Sequence, residues 1–395
     1  MPNVLDKYNP IFYAQEAQTA LEKALGLAAR VYRGYDDAQT SRQYGDTISI
    51  RVPGSFVAQA APSSAQDVAT SSLDLKLDQH QEVKFSLTDK ELAYTSQRII
   101  DEHIRPAAYA LADKIDQSLA ALYKDVPFYA DFTAPAAVSD ITNARRILFE
   151  NKVPLDDPSM LHFMTSGTIE AELLNLAAFT QNQGGGDAAV ASQMRGYLGT
   201  RYGFNFFANQ NTPSATSATV ADLAGAINNG AGYAAGIKSI VVDGFSASAA
   251  LKAGDIVVIT GHTQQYVLTA DVTLDGTGAG TLAIYGSPNV QGGGLEAAVV
   301  DNQVVTVVLS GTSGGTRVQN LAFHRNAFAL GMARLPDFFD GQGVRVFSLP
   351  IDPASGLSVR ARTWSDPNNS KFFVALDCLF GVKTIDGNKA VRVRD

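Results

Sequence analysis

The sequence predicts an α+β fold: a long helix carrying an extended β ribbon, an α/β region, and an all-β domain inserted into that region. Three observations lead there. Thr88-Asp-Lys-Glu91 is a capping box, in which the Thr hydroxyl and the Glu carboxylate satisfy exposed N–H groups reciprocally; an apolar stripe of Leu111, Ile115, Leu119 and Leu122 follows it. Residues 46–52, 73–78 and 83–87 alternate apolar and polar, as half-exposed strands do. Residues 211–316 hold 17 of the 34 glycines and only two basic residues, Lys238 and Lys252, against seven acidic ones.

Asn9-Pro10 opens the first element, since Asn suits an N-cap and Pro the first helical position. From Ile11 to Arg33 the chain is rich in Ala, Leu, Glu and Gln, and Leu21, Leu25 and Ala28 keep helical spacing, so an amphipathic arm runs up to Gly34. Residues 36–87 read as a two-stranded excursion. Pro53-Gly54 interrupts it, and residues 58–72 are small and polar with no packing anchor beyond Val68. Such a ribbon is marginal alone in water and needs another surface to lie on. The capped spine helix extends to Asp125 with a kink at Pro106. About 37 residues at 1.5 Å rise span roughly 55 Å, far longer than an average helix.

Beyond it, 140–149 reads as helix, 160–164 as a buried strand, 168–179 and 187–198 as helices, and 204–207 as strand. The glycine-rich stretch alternates short strands (237–242, 255–260, 265–270, 280–285, 304–309) with Gly, Asp and Ser turns, the pattern of a small sandwich or barrel. Residues 318–330 are apolar on both faces and therefore buried. Strands at 344–349, 357–363, 372–383 and 390–394 close the chain, the last alternating as Val-Arg-Val-Arg.

Composition excludes several functions. The 395 residues carry 31 Lys plus Arg and 39 Asp plus Glu, a formal charge of -8. A dedicated nucleic-acid binder or a polybasic membrane-surface protein would show a basic excess. Charged residues make up 18%, below the roughly 25% usual in soluble domains. Cys378 is the single cysteine, which excludes an internal disulfide and a cysteine-based zinc site. The first residues lack a secretory signal, and no apolar run approaches the ~18 residues of a membrane span, so the chain is expected in a reducing cytosol.

Candidate chemistry is sparse. Gly311-Thr-Ser313-Gly-Gly315 follows a strand and matches a nucleophile elbow, but a hydrolase of that type places its acid and then its His later in the chain. His324 is the one later histidine, and no Asp or Glu lies between it and Ser313. Gly184-Gly-Gly186 and Gly292-Gly-Gly294 lack the Lys-Ser/Thr of a phosphate loop. Asp36-Asp37 and Asp156-Asp157 do not repeat at calcium-loop spacing. The histidines at 80, 103, 162, 262 and 324 form no i, i+4 pair, and His162 and His324 lie in apolar stretches as core residues do. Arg145-Arg146 reads as a helix face, and Trp364 as a core or interface anchor. No catalytic, cofactor or metal site is expected.

Three stretches carry a resemblance. Val31-Tyr-Arg-Gly-Tyr-Asp-Asp37 with Gly45-Asp-Thr-Ile-Ser-Ile-Arg-Val-Pro53 resembles the start of the extended loop in the major capsid (coat) proteins of tailed double-stranded DNA phages. Leu251-Lys-Ala-Gly-Asp-Ile-Val-Val-Ile-Thr-Gly261 resembles the Leu-Lys-x-Gly-Asp strand of the immunoglobulin-like insertion in the short-tailed-phage branch. Asn320-Leu-Ala-Phe-His-Arg-Asn-Ala-Phe-Ala-Leu330 resembles the segment after that insertion. The resemblance implies the tailed-phage major capsid fold. Residues 1–35 would be the N-terminal arm, 36–87 the extended loop on a neighbouring subunit, and 88–135 the peripheral domain with the spine helix. Residues 136–212 and 317–343 would form the axial domain, 213–316 the inserted β-domain, and 344–395 the closing strands of both. The charge-poor insert does not carry over the charged contacts of relatives, and no pair supports a Lys–Asn crosslink.

The implied function is a shell subunit that assembles with itself as pentamers and hexamers. The implied partners are a separate scaffolding protein, a portal, a decoration protein, and packaged double-stranded DNA touched weakly; no membrane is involved. No fused scaffolding domain is expected before an arm that starts near residue 10. The candidate subunit contacts are Tyr8, Arg42, Arg51, Asp67, Glu82 and Lys84, of which Arg51 and Glu82 are chosen for position and charge. Physics agrees: a ribbon that cannot stand alone supplies a head-to-tail contact, and such contacts close into rings. The alternatives are a carbohydrate-binding surface adhesin, which calls for an exposed aromatic cluster in the insert, and a Ser313 hydrolase, which the residue order disfavours.

Overall fold

The computed structural model describes residues 10–33, 47–52, 61, 71–88, 103–132, 136–180, 192–288, 290–337, 343–349, 357–366 and 368–395. The chain divides into two units, Met1–Leu119 with Ala329–Lys383, and Ala120–Phe328 with Thr384–Asp395. It crosses from the second unit to the first at Phe328–Ala329.

In the first unit the arm helix begins at Pro10, as the N-terminal signal requires, and ends at Ala24. Tyr13, Ala14, Ala17, Ala20 and Leu21 are buried, one face at three- and four-residue spacing. The next turn wraps around a carboxylate of the spine helix, Arg105–Ala120. The N–H groups of Gly26 and Leu27 donate to Asp116 Oδ2 at 2.8 and 3.1 Å, and that of Ala28 to Oδ1 at 2.8 Å. Burial pushes the Asp116 carboxyl up, against the lowering effect of these three donors. Asp116→Ala should cost about 3 kcal/mol, because three backbone donors lose their acceptor. A raised folded-state pKa means the contribution is fully present below the ordinary carboxylate value and lost as pH rises through the raised one. The cost should therefore shrink between pH 4 and pH 8. Urea titration of both proteins at the two pH values checks size and sign.

The stripe on the spine helix holds for Leu111, Ile115 and Leu119, which are buried. Leu122 is only half-buried. The helix tightens into a 3-10 turn at Ala121–Asp125, which rotates the buried position to Tyr123. Pro106 lies in the first turn of Arg105–Ala120, directly after a π-type turn at 103–104. Glu91 of the capping box and the helix predicted over 89–102 lie outside the described residues.

The ribbon is real but shorter than expected. Thr47–Val52 pairs antiparallel with Ser71–Lys76, in register from Thr47↔Lys76 to Val52↔Ser71. The third alternating stretch does not belong to it. Gln79–Thr88 pairs antiparallel with the long strand Lys371–Thr384, from Phe380↔Gln79 to Lys371↔Thr88. It thereby joins a five-stranded sheet with Phe328–Ala333, Arg360–Asp366 and Val344–Ser348. Alternation reports that one face is wet, not which partner the strand has, so the extended loop was drawn too long.

The second unit contains a seven-stranded sheet in the order Tyr129–Asp131, Ala390–Arg394, Thr316–His324, Leu161–Thr165, Phe204–Ala208, Thr200–Arg201, with Ser214–Thr216 also paired to Thr316–His324. Leu161–Thr165 is buried at every position, as a central strand should be. The helix Val138–Glu150 covers this core through Ile141, Ala144, Ile147 and Leu148. Phe163 sits at its middle, stacked on Phe206 at 4.9 Å and edge-on to Phe132 and Phe204. The predicted helix 168–179 breaks at Leu176 into Gly167–Asn175 and Ala177–Thr180. Of 187–198, residues 192–195 are helical, and 187–191 lie outside the described residues.

The inserted domain differs from the immunoglobulin-like sandwich that the resemblance implied. Its six main strands are Ala224–Ile227, Ser239–Asp243, Ile256–Ile259, Tyr266–Leu268, Gly280–Tyr285 and Val304–Val308. They close into a barrel in the cyclic order first, second, fifth, fourth, third, sixth, every pairing antiparallel. Two facing sheets would leave four edges; here the sixth strand pairs with the first, and no edge remains. The barrel is filled by Ile227, Ile240, Val257, Tyr266, Leu282, Ile284 and Val305 among others. Gly278, at φ 78°, lets the turn before the fifth strand pass Phe245, whose carbonyl oxygen would lie 1.8 Å from an added Cβ.

Candidate functional site

Three constructions hold side chains that could serve assembly. The first is a charged row on the five-stranded sheet. Residues 80, 82 and 84 share one face and are exposed. They stand opposite Leu379, Asp377 and Ala375, while Arg360, Arg362 and Trp364 stand opposite Asp377, Ala375 and Phe373 on the other side. Asp377 is fully buried. It receives Arg360 Nε at 3.0 Å, a second bond from the Arg360 guanidinium, Arg362 at 3.2 Å and His80 Nε2 at 3.0 Å. Arg362 also reaches Glu82 at 2.8 Å. Trp364 and Phe373 stack at 5.3 Å and 11°, with the Lys84 ammonium 5.0 and 5.1 Å from the two ring centroids. Cations thus neutralise a buried carboxylate and cap an aromatic pair.

Glu82 and Lys84, chosen from sequence as subunit contacts, therefore both have partners within their own chain. Arg51 stands opposite Ser72 in the ribbon. Tyr8, Arg42 and Asp67 lie outside the described residues. Sequence reasoning passed over Asp377, although an Asp inside Val374-Ala-Leu-Asp-Cys-Leu-Phe380 is the kind of isolated charge that has to find a cation.

The second construction is the ribbon's root. Ile48, Leu75 and Leu77 form a small buried cluster, with Ile50, Ala333 and Leu379 against it. Gly331 leaves the room: a Cβ there would lie 2.6 Å from Leu75 Cδ2 and 3.3 Å from Ile48 Cδ1. The root thus rests on its own chain, where the sequence expectation had the ribbon wholly unsupported.

The third is the seam between barrel and seven-stranded sheet. Ala390–Arg394 is buried at all five positions, so Val-Arg-Val-Arg is not a half-exposed strand. Arg392 is fully buried and donates to the carbonyls of Val126 (2.6 Å), Gly254 (2.6 Å) and Lys124 (3.2 Å) and to Ser310 Oγ (3.0 Å). Arg394 grips the Asp131 carboxylate at 2.7 and 2.8 Å, donates to Leu309 O at 2.7 Å, and lies 4.1 Å from the Tyr129 ring centroid. Beside them Gln264 and Asn388 exchange amide hydrogen bonds at 3.0 and 2.8 Å, and Ser287 donates to Asp386 at 2.8 Å.

The motifs with chemical precedent have structural roles. Ser313 donates to Val220 O at 2.9 Å and accepts from Val220 N at 3.0 Å, clamping the return from the barrel. His324 Nδ1 accepts the N–H of Asn326. Asp157 caps the turn at Ser159. Burial pushes the Cys378 thiol up to about 12, away from nucleophilic use. Among the described residues no group of three His, Cys, Asp or Glu side chains is placed to hold a metal, and no helix is long and apolar enough to cross a membrane.

No family model and no curated protein matches the chain. Among solved structures, the one from Mycobacterium phage Che8 is similar at a TM-score of 0.49 and 14% identity, over 93% of this chain and 90% of that one. The capsid of Ralstonia phage GP4 is similar at a TM-score of 0.47 and 10% identity, over 93% and 87%. The capsid structure of the cyanophage P-SCSP1u is similar at 0.43 and 11%, over 88% and 83%. At TM-scores below 0.5 these are likenesses and no more.

Proposed function

We propose that this chain is a shell-forming subunit, the major capsid protein of a tailed double-stranded DNA phage. The observation that carries the reading is the ribbon. Two strands, paired only with each other among the described residues, stand on a root of three buried side chains. A hairpin of that kind gains stability from a further surface, and a second copy presents one at every subunit of a ring. The sequence resemblance at 31–53, 251–261 and 320–330 supports the same reading. So does the region assigned to the axial domain, where Phe149 and Met194 are 71% and 79% exposed and Tyr197 is also exposed. Large apolar side chains left in water suit burial between copies.

On this reading pentamers and hexamers close an icosahedral shell, with a separate scaffolding protein and a portal during assembly and an expansion on maturation. The barrel faces outward, available to a decoration protein. A net charge of -8 leaves packaged DNA loosely held. The adhesin alternative loses its premise, since Phe245 and Tyr266 are buried and Tyr233 and Tyr285 half-buried in the barrel.

Sedimentation across a concentration series, with and without a co-expressed scaffolding partner, followed by electron microscopy, tests the proposal. Closed particles of uniform size are expected. A compact monomer under every condition overturns it.

A further inference from the structure

A polar cluster on the barrel, centred on His262, meets the features described above only through Gln264. In the 261–265 loop between the third and fourth barrel strands, His262 Nδ1 lies 2.7 Å from the hydroxyl of Tyr266, whose side chain is buried. That hydroxyl accepts the Glu296 N–H at 2.8 Å. Its own proton is then directed to Nδ1, which makes His262 the neutral tautomer protonated at Nε2. Nε2 itself is buried without a hydrogen-bond partner among the described residues.

The Glu296 carboxylate accepts three donors from the same loop: Thr263 N at 2.9 Å, Thr263 Oγ1 at 2.7 Å and Gln264 N at 3.0 Å. Gln264 is the residue whose amide pairs with Asn388 across the seam. Tyr266 and Glu296 are the titratable groups that face the imidazole. One chain of hydrogen bonds therefore runs from the imidazole to the tether between barrel and sheet.

We propose that His262 is a proton-operated latch: its protonation releases the 261–265 loop from Tyr266 and Glu296, and with it the Gln264–Asn388 tether. A second ring proton places an N–H against the Tyr266 hydroxyl. The hydroxyl oxygen then has to accept from both His262 and Glu296, and its own proton loses its acceptor inside the barrel. Glu296 would attract an imidazolium, but its oxygens are already engaged by the loop. Burial holds His262 below the ordinary histidine range despite that attraction. A lowered folded-state pKa means the stabilisation is present above the ordinary value of about 6.5 and is lost as pH falls through the lowered one.

The test is amide hydrogen exchange on the full chain at about pH 7.5 and pH 5, read as protection factors for 261–265 and 386–389. Wild type should lose protection by roughly fivefold or more at the lower pH. His262→Gln, which offers Tyr266 an acceptor but cannot take a charge, should change by less than about twofold. Equal protection at both pH values in wild type, or the same loss in His262→Gln, overturns the latch. Should the variant not fold, NMR titration of His262 in wild type decides. A midpoint below about 6.5 that the loop resonances share supports the latch, and any other outcome overturns it. None of these readouts depends on shell assembly.

Discussion

Replacing Arg392 by methionine is expected to destabilise the second unit by about 3–5 kcal/mol, because a buried cation is removed while its acceptors stay behind. Among the described residues Arg392 touches no carboxylate; its partners there are three backbone carbonyls and the Ser310 hydroxyl. Methionine fills much of the volume and leaves the Val126 and Lys124 carbonyls without their donor, while the Gly254 carbonyl keeps only the Ser310 hydroxyl. Burial lowers the Arg392 pKa to about 9, still far enough above neutrality for the guanidinium to keep its proton. Lysine in its place retains a charge but not the planar fork that spans four acceptors, so Arg392→Lys should fall between methionine and wild type. Denaturant unfolding, followed through the barrel signals, measures both. A loss below about 1 kcal/mol for Arg392→Met would mean that water replaces the lost donors.

The second large effect is on assembly. Leu75 is fully buried in the three-residue root of the ribbon. Leu75→Asp places a carboxylate among Ile48, Ile50, Leu77, Ala333 and Leu379, a cost of several kcal/mol that the hairpin avoids by lifting off the sheet. The five-stranded sheet keeps its own hydrogen bonds, so the thermal midpoint of the subunit should drop by only a few degrees. On the proposed reading as a shell subunit, the yield of closed particles should fall by about tenfold or more, since each ribbon that leaves its root would remove one contact of many. Sedimentation and calorimetry on the same preparation separate the two. Particles at wild-type yield would show that the ribbon is dispensable for association.

Several local signals in the sequence held, though the helix read over 168–179 breaks at Leu176. Asn9-Pro10 marked the start of the arm helix, the 140–149 pattern lies within Val138–Glu150, and the apolar run at 160–164 became a central strand. Glycine and charge content set the insertion at 213–316, and Ser214–Thr216 and Thr316–His324 pair at the two ends of that stretch. Other failures were long-range. Gln79–Thr88 alternates like the ribbon strands before it, and only its partner at 371–380 shows that it belongs to a sheet. The arginines at 392 and 394 look exposed by period, yet the barrel folds over them and supplies carbonyls from 254 and 309. Barrel closure depends on the pairing of its sixth strand with its first, which no single strand encodes. The buried Asp377 cluster joins strands nearly 300 residues apart in sequence.

The two ends of the insertion are zipped together: Ser214, Ala215 and Thr216 stand opposite Val318, Arg317 and Thr316, and the threonine hydroxyls meet at 2.8 Å. That geometry makes the junction a natural splice point, where a foreign domain with adjacent termini could be grafted for display without stretching the host sheet. Such a graft would carry a condition. With the barrel gone, Arg392 would keep the Val126 and Lys124 carbonyls but lose its bonds to Gly254 and Ser310, and Arg394 its bond to Leu309, so a successful chimera has to offer both guanidinium groups new acceptors or water.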